Sequence, residues 1–226
     1  MESLSPIRFD YEICIAAEAE SAAYKSGAVA GRYLGQNRTA PEYMAALKQW
    51  IEDCVSAHPQ CRRTISDTSD AFNPHDVELP TRCVEVTKEG SYLRYTGGLR
   101  GCYITLSHRW NVQRSACKTT ALNYAGRIAG QNLEAAADFP LSKTFSDAIR
   151  VTRALDEQYI WIDSLCIIQD TDDVLSEMWK MGKYYQHSLV TIAAISGLSS
   201  RVSSASSPPD GFLEISPAAG LWKSCF

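Results

Sequence analysis

The sequence predicts an α/β domain, a mainly parallel sheet with helices on both faces, preceded by an N-terminal helical appendage. Three observations carry that expectation. The runs 159–166 and 189–194 are apolar almost throughout, as strands buried on both faces are. Between them lie segments whose apolar residues recur every three or four positions, the spacing of a helix face. The order strand, helix, strand, helix, strand is the one that builds a parallel sheet through crossovers.

Taken along the chain, residues 1–37 carry a weak, Ala-rich pattern that fits a loose helix or a mobile arm. Thr39-Ala40-Pro41-Glu42 reads as a helix start, since Thr39 can cap free amides, Glu42 can reach back, and proline suits the first turn. Tyr43, Leu47, Trp50, Ile51, Cys54 and His58 then share one face. Residues 1–62 form this helical region, and the polar, turn-rich stretch 63–80 is a linker. The main domain, 81–213, opens with a hairpin of Cys83-Val84-Glu85-Val86 and Tyr92-Leu93-Arg94-Tyr95 around Lys88-Glu89-Gly90. Cys102-Tyr103-Ile104-Thr105-Leu106 is a third strand. A helix somewhere within 119–137 is followed by a clearer one in which Thr144 and Asp147 form a capping pair and Phe145, Ala148, Ile149, Thr152 and Leu155 share a face. Residues 159–166 read as one strand. Asp172 or Asp173 caps a further helix with Val174, Met178, Met181 and Tyr185 on one side, and 189–194 is the last core strand. The Ser-rich run 199–207 with Pro208-Pro209 reads as a loop, and the tail 214–226 has no recognisable closing element, as in a truncated chain.

With 226 residues, 45% of them hydrophobic and 21% charged, the chain can bury a sizeable core. A formal net charge of −4 and no block of Lys or Arg argue against nucleic acid as a partner. No run reaches the ~18 apolar residues of a membrane span, and the N-terminus lacks the basic start and apolar centre of a secretory signal. A soluble, cytoplasmic protein with its eight cysteines as free thiols is expected.

Three motifs resemble the fungal heterokaryon-incompatibility (HET) family in the right order. Tyr103-Ile104-Thr105-Leu106-Ser107-His108-Arg109-Trp110 resembles its first motif, with Asn111 in place of the usual Gly. Residues 140–155 resemble the second block, which leads into Trp161-Ile162-Asp163-Ser164-Leu165-Cys166-Ile167-Ile168-Gln169 almost unbroken. Asp173, Glu177 and Met181 follow as in the family's next run, with Val174 replacing a Trp, and Asp210-Gly211-Phe212-Leu213 is a blurred version of its Gly-Leu-Phe segment. The resemblance implies an effector of non-self recognition whose action triggers programmed cell death. It also implies a distant similarity to the Toll/interleukin-1 receptor (TIR) fold, a flavodoxin-like parallel sheet, some members of which cleave NAD. On that reading the protein needs no cofactor, and NAD is a substrate.

Glu177 is then the candidate catalytic carboxylate, able to oppose the positive charge of an oxocarbenium-like ribose. The plainer reading is that a carboxylate early in a helix is favoured by the helix dipole, by about 0.3–1 kcal/mol, without any function. Asp163, set in an apolar run, needs a partner, because a bare buried carboxylate costs several kcal/mol. Arg109 at the neighbouring strand end is the candidate, and the pair could pin the sheet or contact a ligand. Ser107 and Trp110 at the same strand end offer a hydroxyl and a stacking face, or close a turn and fill the core. Gly97-Gly98 and Gly101 lack the spacing of a dinucleotide fingerprint, and Ser107 lacks a nucleophile-elbow context. Cys54, His58 and Cys61 could bind zinc with Cys83 or His75 as a fourth ligand, but the same residues suit the buried side of an amphipathic helix, which is the preferred reading. The rival to an NAD or nucleotide hydrolase is a non-catalytic death-signalling module that acts as a homo-oligomer or with other incompatibility proteins.

Overall fold

The computed structural model describes residues 16–18, 22–26, 31–33, 40–58, 73–110, 117–195 and 212–217. The chain divides into two compact units, Met1–Ala46 and Leu47–Phe226. In the first, strands β1 (Ala16–Glu18) and β2 (Gly31–Tyr33) pair in parallel, with helix α1 (Ala22–Lys25) between them. The long helix α2 (Pro41–Ala57) begins at the proline that its fixed φ suits for a first turn. Within the second unit the expected inner face of α2 is present at Ile51 and Cys54, which are buried, whereas Trp50 is half exposed. Lys48 forms an ion pair with Asp156.

The second unit is built on a six-stranded sheet. Its strands are β4 (Arg82–Val86), β5 (Ser91–Tyr95), β7 (Ile104–His108), β8 (Tyr159–Trp161), β9 (Val190–Ile195) and β10 (Phe212–Pro217), in the order β10-β9-β7-β8-β4-β5. Beside it, β3 (Val77–Glu78) and β6 (Arg100–Gly101) make a separate antiparallel pair. Only the central strands β9, β7 and β8 run parallel; β10 on β9, β4 on β8 and β5 on β4 are antiparallel. The sheet is therefore mixed, which corrects the expectation of a mainly parallel one. The reason is local. Parallel neighbours need a crossover, and helices supply one between β7 and β8 and another between β8 and β9, whereas β4 and β5 arrive as a hairpin whose strands must oppose each other.

The crossover between β7 and β8 holds α3 (Ala121–Ile128), a short 3₁₀ turn (Leu133–Ala135) and α4 (Lys143–Ala154). Helix α4 buries Phe145, Ala148, Ile149 and Thr152, the face its periodicity predicts. Its cap is Ser142, whose hydroxyl accepts from the Phe145 amide at 3.3 Å, and not the Thr144 and Asp147 pair. After β8 the chain turns into α5 (Asp163–Cys166), then α6 (Asp173–Met178) and α7 (Met181–His187). The predicted strand 159–166 is thus a three-residue strand followed by a helical turn, because Asp163 accepts a hydrogen bond from the Ser164 amide and the apolar residues around it can be buried in either conformation.

Paired residues on neighbouring strands share a face, so Thr105, Trp161 and Thr191 lie on one side of the sheet and Ile104, Ile160 and His108 on the other. Trp161 packs between Tyr184 and Tyr185 of α7, with ring centroids 5.3 and 5.5 Å away. His108 meets Phe145 of α4 edge-on at 4.9 Å. Helices therefore cover both faces, as expected. The predicted face holds at Val174, Met181 and Tyr185, which pack against the core, but not at Met178, which is 54% exposed. Glu177, buried with three hydrogen-bond donors, takes the inner position next to Met178.

Trp161 is fully buried and the largest side chain in the core. Replacing it with alanine should destabilise the domain by about 3–5 kcal/mol, read from urea unfolding, and Phe should cost much less. An alanine variant as stable as the wild type would refute this packing.

Candidate functional site

The site is an edge of the sheet. Strands β7 and β8 both end there, at His108 and Trp161, and β4, running opposite to β8, begins there at Arg82. The crevice beyond the carboxyl ends of adjacent parallel strands is where α/β sheets take ligands.

Asp163 sits just past the end of β8 and is 8% exposed. Its Oδ1 is 2.9 Å from His108 Nε2 and accepts from the Ser164 amide, and its Oδ2 accepts from Trp110 Nε1 at 2.9 Å. The Ser164 hydroxyl adds a bond of 3.1 Å to Oδ1. Burial by itself would raise the Asp163 pKa, but the hydrogen bond and charge of His108, with the Trp110 and Ser164 donors, hold it below the ordinary carboxylate value. The partners come from the predicted motif, yet they are His108 and Trp110, on either side of Arg109. Alternation along β7 was the signal available, since His108 shares a face with Ile104 and Leu106 and so points inward. Ser107 and Arg109 are exposed at the strand end, and the Trp110 ring is 46% exposed although its N–H is engaged.

Glu177, on α6, is 2% exposed. Thr81 Oγ1 and Lys180 Nζ each donate to its Oε1 at 2.9 Å, and the Tyr184 hydroxyl donates to Oε2 at 2.8 Å. Burial, reinforced by the Glu177 hydrogen bond and charge, pushes the Tyr184 phenol up to about 12, so it remains a donor. Beside it, Arg82 pairs with Asp173 and donates from Nε to the Cys166 carbonyl at 2.7 Å. Burial opposes the Arg82 charge, but the Asp173 bond and charge outweigh it and raise the pKa. Thr81 leads into β4, so Glu177 and Asp163 lie at the same edge of the sheet, each held by its own donors.

Two supporting groups had no sequence signal beyond a polar residue in an obscure segment. Thr119 clamps α5, its amide donating to the Ser164 carbonyl at 2.9 Å and its hydroxyl to the Leu165 carbonyl at 2.6 Å. Arg127, 1% exposed, donates to Thr119 Oγ1 at 2.7 Å and to the Cys117 carbonyl at 2.9 Å. Burial lowers its pKa, and among the described residues its Nε has no partner. A buried guanidinium is thus spent on holding the loop that holds Asp163.

The metal candidates are placed only in part. Cys54 Sγ is 3.4 Å from His58 Nδ1, and Cys61 lies outside the described residues. Cys83 is fully buried in β4 and His75 is exposed. Among the described residues no three His, Cys, Asp or Glu gather closely enough to hold an ion. Nor is any helix among them long and apolar enough to cross a membrane.

Residues 103–211, from the start of β7 through β9, match the family described as heterokaryon incompatibility protein (HET), and that segment belongs to it. The hairpin that contributes Thr81 and Arg82 precedes the matched segment. No curated protein and no solved structure matches the chain, so the expected likeness to the TIR fold finds no support among known structures.

Because the folded pKa of Asp163 lies below its unfolded value, its charge stabilises the fold above the unfolded value of about 4 and ceases to as pH falls through the folded pKa. Asp163→Asn should therefore cost about 2–3 kcal/mol at pH 7 in urea unfolding, and the difference from wild type should shrink below about pH 4. A difference that stayed constant from neutral to acid pH would show that the charge is not what the clamp holds.

Proposed function

We propose that this chain is a cytoplasmic effector of fungal heterokaryon incompatibility that triggers programmed cell death by cleaving NAD or a related nucleotide at the strand-end site. The observation that carries the reading is the position of Ser107, Arg109, Trp110 and Asp163 at the carboxyl ends of two parallel strands, with Glu177 bonded to Thr81 at the start of the neighbouring β4. In it the exposed Trp110 ring stacks on a base, and Arg109 and Ser107 bind phosphate and hydroxyl groups. Asp163 fixes Trp110 from behind, so the stacking face is preorganised. Glu177 opposes the charge that develops on the ribose as the glycosidic bond breaks. The bonding electrons leave with the nicotinamide nitrogen, and water adds to the ribose carbon and gives up its proton.

One observation favours the rival, a non-catalytic signalling module. Glu177 already accepts three hydrogen bonds and is buried, so it reaches a substrate only when Lys180, itself half exposed, swings away.

Purified protein incubated with NAD separates the two. The wild type should consume NAD, and Glu177→Gln, shown folded by circular dichroism, should lose roughly 100-fold in rate and lose killing in cells. A wild type that kills cells while leaving NAD intact would sink the hydrolase and leave the signalling module.

A further inference from the structure

The inner side of α6 carries Glu177, but its outer side is unusual. Trp179 is 89% exposed, Leu175 62% and Met178 54%, and spacings of three and four residues put them on one face. Single exposed apolar residues are ordinary, whereas a contiguous group that includes a nearly bare tryptophan marks a surface that another protein covers.

The charges around this face identify what covers it. Trp179 (φ −66°, ψ −22°) and Lys180 (φ −90°, ψ −18°) keep right-handed helical backbone, so the helical path continues from α6 into α7. Asp172, Leu175, Trp179 and Lys183, spaced three, four and four, then form one stripe with an acid at its start and a base at its end. Asp172 is exposed, and Lys183 keeps 54% side-chain exposure in a surface ion pair with Glu78, a kind of pair that exchanges at little cost. Such a stripe is complementary to itself when reversed. A two-fold axis beside the Glu177–Met178 peptide sets Asp172 against Lys183 of a second copy at both ends and packs the apolar residues of both copies in the seam. That is the isologous geometry of a cyclic dimer. A partner with a rim of one charge would meet like charge at one end.

We infer that the outer face of α6 is where two copies of this chain associate. This does not depend on NAD cleavage, and it gives the signalling reading a surface. It also places the contact one helix thickness from Glu177 and beside Lys180, so association and the state of that carboxylate are mechanically adjacent.

Sedimentation velocity of the full chain, between about 1 and 100 μM, tests the inference. The wild type should pass from monomer to dimer over that range, and Trp179→Ser should weaken association about tenfold or more. Asp172→Lys and Lys183→Glu should each weaken it, and the two changes in one chain should restore it. Because both sites are exposed, these variants should keep the wild-type circular dichroism, and Lys183→Glu, which breaks the surface pair with Glu78, should lower the melting temperature only slightly. A wild type that stays monomeric throughout overturns the proposal. So does a dimer that Trp179→Ser leaves intact, or a double charge variant no better than either single one, both of which would assign the face to a different protein.

Discussion

A buried negative charge organises this domain. Asp163 leaves water at the end of β8 and is repaid by His108, Trp110 and the amide of Ser164. Each donor fixes a different part of the molecule. His108 anchors the end of β7 and presses on α4 through Phe145, Trp110 holds the chain just past the strand, and Ser164 starts the helical turn that diverts the chain away from the sheet. A neutral or smaller residue at 163 would leave three donors facing an apolar wall, which costs more than the bonds themselves contribute. Thr119 and Arg127 make the same point from below, since a guanidinium without a carboxylate partner among the described residues is buried to keep the Cys117–Thr119 loop against α5.

The second charged cluster works on the other side of the same edge. Glu177, Thr81, Lys180 and Tyr184 tie α6 and α7 to the start of β4, and the Arg82 and Asp173 pair ties β4 to α5 through the Cys166 carbonyl. Trp161, lying under Tyr184 and Tyr185, mechanically joins the two clusters through the core. The two carboxylates differ in what surrounds them: Asp163 supports a half-exposed indole, whereas Glu177 is enclosed by Thr81, Tyr184 and the half-exposed Lys180.

Much of this was legible in the sequence, and the misses have physical causes. The α4 face at Phe145, Ala148 and Ile149 and the hairpin at 82–95 follow from periodicity and turn chemistry, whereas the strand-end motif around Trp110 was carried by the family resemblance. Strand direction was not legible, since an apolar run reads the same whether its neighbour is parallel or antiparallel, and two of five pairings in the main sheet are parallel. The run at 159–166 concealed a strand-to-helix change because Ile162, Leu165 and Cys166 are buried in either form. On α6, hydrophobicity favoured Met178 for the interior, but a glutamate with three donors outcompeted it. Thr81 and Arg82 lie at the boundary of a stretch that composition marks only as a linker, and nothing local announces that they bond to Glu177 and Asp173.

If the Asp163 clamp exists to present Trp110 to a nucleotide, the indole itself should report it. The most direct measurement is a titration of NAD into protein carrying ¹⁵N-labelled tryptophan, followed through the indole N–H resonances. The Trp110 signal should move with added NAD while the signal of the buried Trp161 stays in place. Movement of neither, at NAD concentrations well above those found in cells, would contradict the account.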